Sequence, residues 1–187
     1  MTSEEALRRI VGALSSAGIP FMLTGSFAAA YHGAPRATLD IDLVIDATEP
    51  QLRTLVATLT QAGQYISLDA ALEARRVEGL FNVIDPLSGW KVDLIIRKDR
   101  AFSREEFARR LPVTFDEIQL SIASIEDVIL SKLEWARLGG SARQLEDVAA
   151  LLRISEGDLD LRYLRRWISA LDVAAQWDAA ERQAHSP

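Results

Sequence analysis

The chain has 187 residues, of which 49% are hydrophobic and 26% charged, and a formal net charge of −6. That length fits one domain, or one with a small appended lobe, burying roughly 70% of the unfolded surface, and the composition excludes disorder except in a loose tail from Gln183 to Pro187. The absence of cysteine excludes a disulfide framework and a thiolate zinc site, and His32 and His185 are too few for a histidine-rich one, so any metal is expected to be hard and oxygen-bound.

Leu7, Ile10, Val11 and Leu14 follow helical spacing, with Thr2 and Glu5 placed as a capping box and Gly18 as a stop. Ile19 to Thr24 reads as a buried strand ended by Gly25. A short helix is expected from Ser26 to Gly33, after which Ala34-Pro35 forces extended backbone into a strand from Leu39 to Ile45. Thr48 caps the next helix, with Pro50 in its first turn and Leu52, Leu55, Val56 and Leu59 as its buried stripe.

Leu80 to Asp85 and Trp90 to Arg97 read as an antiparallel pair joined by Pro86-Leu87-Ser88-Gly89. Ser103 with Glu106 predicts a capping box for a short helix to about Arg110, and Val113 to Ala123 holds one or two further strands. The sheet is therefore expected to be mixed.

From Ser124 the pattern is wholly helical. Ser124 and Asp127 cap a first helix that Gly139-Gly140 breaks. A second carries Leu145, Val148, Ala149, Leu151 and Leu152, a third opens near Asp160, and a fourth runs from Ala174 to Ala184. Trp135 and Trp167 are expected to pack this helical part. No apolar run approaches the roughly 20 residues of a membrane span, so no membrane association and a cytoplasmic location are expected.

Asp40 and Asp42 share one strand face while Leu39, Ile41, Leu43 and Ile45 point to the other. Two carboxylates about 7 Å apart on one face converge on a hard cation, or else decorate an exposed edge strand. Gly25-Ser26 opens a helix whose unpaired amides suit phosphate oxygens, or is a plain helix cap after a strand. Only residues 27–39 separate Ser26 from Asp40, enough for one short helix and a return loop, so the turn and the acids can meet in space.

Asp93 interrupts the apolar run Val92-Asp93-Leu94-Ile95-Ile96 and needs either a cation or donors such as Lys91 or Arg97. Three strand-borne carboxylates are what a two-metal phosphoryl-transfer site requires. The basic residues Arg97, Lys98, Arg100, Arg104, Arg109 and Arg110 alternate with Asp99, Glu105 and Glu106. They read as a solvated face or as a modest patch for RNA. His32 is expected to be structural.

Gly25-Ser26, then Asp40-x-Asp42 with Arg36 and Thr38 just before it, and the later Val-Asp93-Leu strand, resemble the polymerase-β nucleotidyltransferase superfamily. The string Pro35 to Asp42 and the helices bearing Lys132 and Asp147 resemble its minimal, AbiEii-like branch, which includes toxin–antitoxin-associated nucleotidyltransferases. The resemblance covers roughly residues 19 to 153. It implies that Gly25, Ser26, Arg36, Thr38, Lys132 and Asp147 bind the nucleotide. It also implies that Asp40, Asp42 and Asp93 hold two Mg2+ ions, with Asp93 near the attacking hydroxyl and Lys132 neutralising the triphosphate. Without the resemblance, Lys132 reads as a surface lysine paired with Asp127, Glu126 or Glu134, and Asp147 as a partner of Arg143 at i,i+4.

The expected fold is therefore α/β (α+β), a mixed-sheet nucleotidyltransferase core over 1–122 flanked by helices, with a helical lobe over 123–187 completing the nucleotide cleft. The expected reaction moves a nucleoside monophosphate from a triphosphate such as ATP to an acceptor hydroxyl on a transfer RNA end, a partner protein or a small molecule. The alternative is a non-catalytic nucleotide- or metal-binding regulatory module, such as an antitoxin-like partner. Oligomeric state is open.

Overall fold

The structure is a computed structural model that describes residues 3–38, 40–115, 117–155 and 157–185. Thr2, expected in the first helix cap, Leu39, expected to open the acidic strand, and Ser186 and Pro187 of the tail lie outside these residues. In chain order the elements are α1 Ser3–Ser16, β1 Phe21–Thr24, α2 Gly25–Tyr31, β2 Asp40–Ile45, α3 Glu49–Gln61, β3 Tyr65–Ile66, α4 Leu68–Val77, β4 Leu80–Ile84, β5 Lys91–Ile96, α5 Ala101–Ala108, β6 Leu111–Phe115, β7 Ile118–Ile122, α6 Ile125–Gly139, α7 Ala142–Ile154, α8 Leu161–Ala170 and α9 Ala174–Ala184. The result is an α/β fold with one mixed seven-stranded sheet, ordered β3-β4-β5-β2-β1-β7-β6.

By its internal contacts the chain divides into two compact units, Met1–Ser26 with Ala37–Ala123, and Phe27–Arg36 with Ser124–Pro187. Where the sequence suggests one cut near residue 122, the 27–36 segment groups with the C-terminal helices. Arg36 pairs with Asp147 of α7, and Gly33 lies against Ile154 at the end of that helix.

The first unit holds the whole sheet. Strict alternation in β2 sends Ile41, Leu43 and Ile45 into full burial, and Val92, Leu94 and Ile96 of β5 follow the same face. Each such aliphatic side chain contributes about 1.5–3 kcal/mol when fully removed from water. α3 brings Leu52, Leu55, Val56 and Leu59 to this core, and α1 packs against it. Thr48 caps α3 reciprocally with Gln51, whose side-chain amide also donates to the Gly18 carbonyl at 2.6 Å and ties α3 to the end of α1.

β4 and β5 form the expected antiparallel pair, and β6 and β7 a second hairpin at one edge. Asp85 organises the first hairpin's turn, its buried carboxylate accepting from the Leu87 amide at 2.9 Å and the Ser88 amide at 3.3 Å, with Arg9 at 3.4 Å. Burial pushes that carboxyl up, but these donors and the Gln64 side chain outweigh it and hold it below the usual carboxylate value. The cap expected at Ser103 is corrected: α5 starts at Ala101, and both Ser103 and Glu106 are buried within it.

In the second unit, Ser124 caps α6 by accepting from the Asp127 amide, and Gly140 closes the helix in the left-handed region at φ 61°. Asp127 is fully buried and accepts from Tyr163 Oη at 2.6 Å and Ser124 Oγ at 2.8 Å. Glu126 accepts from the Asp160 amide at 3.1 Å, so the N-termini of α6 and α8 are joined by two bonds. Trp167 packs inside as expected, whereas Trp135 is half exposed because it lies opposite the Ile129–Leu133 stripe of α6.

Candidate active site

The strands of the first unit put a row of polar side chains across the sheet. β1 runs antiparallel to β2 with Thr24 opposite Asp42, β2 runs parallel to β5 with Asp42 opposite Asp93, and β5 runs antiparallel to β4 with Asp93 opposite Asn82. Neighbouring strands lie about 4.8 Å apart, so Asp42 and Asp93 are direct neighbours on the face turned away from Ile41 and Val92. Asp40 stands two residues before Asp42 on that face, and Lys91 stands opposite Asp40.

Gly25 closes one end of this row. It has φ 65°, and a Cβ there would stand 2.0 Å from Asp42 Oδ2 and 2.8 Å from Asp42 Cβ. Glycine is therefore required twice, for the left-handed backbone and for the space that the Asp42 carboxylate fills. Ser26 is buried beside it. Thr38 turns its hydroxyl back onto the chain and accepts from the Asp40 amide at 3.2 Å, fixing the entry into β2.

Lys91 is the base of this acidic face. Its Nζ lies 3.1 Å from Asp93 Oδ2 and 3.3 Å from Asp40 Oδ1, and Asn82 Nδ2 donates to Asp93 Oδ1. Burial pulls the Lys91 ammonium down, but its bonds to Asp93 and Asp40 outweigh this and raise its pKa above the ordinary lysine value. Lys91, which the sequence offers only as a plain partner for Asp93, thus serves two acids. Its signal was present in the alternation, because Lys91 and Asp93 are i and i+2 on one strand. Asn82 gave no signal of its own before the β4–β5 register was known.

Among the described residues no three histidine, cysteine, aspartate or glutamate side chains converge closely enough to enclose a metal ion by themselves. The all-oxygen donor set still fits a hard divalent cation. Magnesium is held through one or two carboxylates and completes its shell with water and substrate phosphates.

In the second unit Lys132 and Asp147 meet. Lys132 is only 4% exposed, and its Nζ donates to Asp147 Oδ2 at 2.6 Å and to Gln144 Oε1 at 3.2 Å. Arg36 Nε donates to the same Asp147 oxygen at 3.0 Å. Lys132 is thus not solvent-facing, and Asp147, read alternatively as an i,i+4 partner of Arg143, turns to Lys132 and Arg36. Arg36 and Asp147 line a cavity of about 580 Å3 between the Gly33–Arg36 segment and α7, whose rim carries Arg143, Glu146 and Arg153. Arg36 and Thr38, two residues apart in the motif, belong to different units.

Several residues of the basic stretch are engaged locally. Arg97 pairs with Asp46 at 3.1 Å, Arg104 pairs with Asp99 at 2.5 Å, and Arg110 stacks on Phe107. His32 sits edge-on to the Tyr31 ring. No helix of the described residues is long and apolar enough to cross a membrane.

Solved structures share the fold. The antibiotic-resistance factor ANT(2'')-Ia in solution has a TM-score of 0.58 and 14% identity, covering 96% of this chain and 95% of that one. The same factor in complex with adenylyl-2''-tobramycin has a TM-score of 0.58 and 16% identity, covering 92% and 98%. The lincosamide antibiotic adenylyltransferase LnuA, lincomycin-bound, has a TM-score of 0.55 and 13% identity, covering 82% and 98%. At such identities the likeness is one of fold. No curated protein sequence matches the chain. Residues 6–185 match the family described as "Nucleotidyl transferase AbiEii toxin, Type IV TA system", nearly the whole length, and the chain is therefore a nucleotidyltransferase of the AbiEii family.

Proposed function

We propose that the protein moves a nucleoside monophosphate from a nucleoside triphosphate to an acceptor hydroxyl, in the cytoplasm where triphosphates are present, as part of a toxin–antitoxin pair. The observation that carries this reading is the contact of Gly25 with Asp42 in a row that continues to Asp93. It brings the Gly25-Ser26 turn beside the strand-borne carboxylates, which supports the reading.

In this reading Asp40, Asp42 and Asp93 hold two magnesium ions, which supply positive charge to the reacting phosphate and to the departing pyrophosphate. The Gly25-Ser26 turn offers its amides to the terminal phosphates. Thr38 keeps Asp40 at the mouth of β2. Asp93, oriented by Asn82, receives the proton of the acceptor hydroxyl. Lys132 and Arg36 supply positive charge for the triphosphate, and Asp147 holds both of them in place. A carboxylate facing two cations is a poor phosphate ligand, so Asp147 acts as a positioning residue within the nucleotide site.

The acceptor is a transfer RNA end, a protein side chain or a small molecule, and the antibiotic-bound structures of the shared fold belong to the last kind. Incubating the protein with magnesium, each labelled triphosphate and cell extract, with Asp42→Ala alongside, identifies the molecule that becomes labelled. Label transfer that persists in Asp42→Ala sinks the mechanism. Triphosphate binding without pyrophosphate release supports a non-catalytic regulatory module instead.

A further inference from the structure

Both oxygens of Asp93 are engaged, Oδ1 by Asn82 and Oδ2 by Lys91. The same Lys91 ammonium reaches Asp40 Oδ1. This double reach follows from two independent geometries. The parallel register sets Lys91 beside Asp40, and the two-residue strand period sets it on the Asp93 face. Lys91 is half-buried, so the contact is held within the sheet's side-chain layer rather than in bulk solvent.

An ammonium is a compact point charge with three donors and no acceptor. At 3.1 and 3.3 Å it takes the carboxylate lone pairs that a divalent cation would use. With Lys91 in place the group of three carboxylates carries a formal charge of −2 rather than −3, and an ion ligated by Asp93 has to share its oxygens with Asn82 and the like-charged Lys91.

We propose that Lys91 is a built-in competitor of the divalent cation, an ammonium that occupies Asp40 and Asp93 until metal arrives with nucleotide and then withdraws from them. The inference rests on the reading of Asp40, Asp42 and Asp93 as metal-holding residues. Its consequence is selectivity for the loaded nucleotide. Free divalent ions bind weakly because they have to displace Lys91 alone, whereas a metal already carried by a triphosphate brings further ligands with it.

The test measures Mn2+ binding calorimetrically on nucleotide-free protein. Lys91→Met is expected to bind Mn2+ at least about tenfold more tightly than the parent, because a unit charge at contact distance is removed. Lys91→Arg, which keeps the charge, is expected to stay within about threefold of the parent by the same reasoning. Binding in Lys91→Met that is equal or weaker, while Asp42→Ala still abolishes it, overturns the role of Lys91 and leaves the metal site standing. Mn2+ binding indifferent to Asp42→Ala in both backgrounds overturns the metal-site reading and this inference with it. Should Lys91→Met fail to fold, Lys91→Gln, which keeps a donor but no charge, gives the same comparison through the rise in melting temperature on adding Mn2+, expected to exceed the parent's.

Discussion

The sheet unit and the helical unit each gather charges, and they do so with opposite surplus. On the sheet, one ammonium, Lys91, faces two of three carboxylates, and the group is partly open to solvent, with the Asp40 side chain 51% and the Asp93 side chain 15% exposed. Among the helices, one carboxylate, Asp147, faces two cations, and Lys132 is almost wholly buried. The difference teaches how each cluster is stabilised. A partly exposed acidic face tolerates its own repulsion because water screens it, so it can stay under-neutralised. A buried lysine has no such relief and requires its carboxylate. The first cluster is left with surplus negative charge, and the second with surplus positive charge.

The strongest way to break this contrast is Asp42→Ala. It is expected to lower nucleotidyl transfer on the order of 10^3-fold, as lost charge stabilisation at a reacting phosphate does, while thermal unfolding shifts little because Asp42 is not in the core. A pyrophosphate-release assay beside a melting curve reads both.

In the helical unit the expectation inverts. Asp147→Ala takes the carboxylate away from the buried Lys132 ammonium, which keeps its bond to Gln144, and is expected to destabilise the fold by about 3 kcal/mol in urea. Lys132→Met leaves Asp147 with Arg36 and is expected to lose less stability, while its KM for triphosphate rises about tenfold. Equal destabilisation by the two would erase the asymmetry.

Gly25→Ala is expected to lower turnover about 100-fold by displacing the Asp42 carboxylate, with KM for the acceptor unchanged. A variant that kept full turnover would show that Asp42 works from elsewhere. The smallest effect is a control outside both clusters. The Asp85 carboxyl titrates lower in the folded chain than its ordinary value of 3.8, so its contribution is present above that value and lost as pH falls through the folded pKa. Asp85→Asn is expected to flatten the acid limb of the stability–pH curve by about 1 kcal/mol and to leave turnover untouched.

Much of the sheet was legible because alternation in β2 and β5 exposes its period directly, and the acids interrupt it. What the alternation does not carry is register between strands far apart in sequence, so the direct facing of Asp42 and Asp93, and the double reach of Lys91, came only with the pairing of β2 and β5. α4 escaped because its buried face is only Ala71 and Ala74, too small to mark a stripe, although Ser67 caps it through the Ala70 amide. The Ser103–Glu106 spacing misled because the same four-residue pattern serves an interior turn when both side chains are buried. The pairing of Lys132 with Asp147 was written in no local pattern, since the two sit on different helices.

The hydrogen that Gly25 carries in place of a side chain makes positions 25 and 42 one inherited unit. A chain of this fold with a larger residue at the first position has nowhere to keep an acid at the second, and a chain that loses the acid is released from the need for glycine, save for its backbone. Scoring the two positions jointly therefore offers a criterion for sorting sequences of this architecture into those that retain the reacting centre and those that keep only its scaffold.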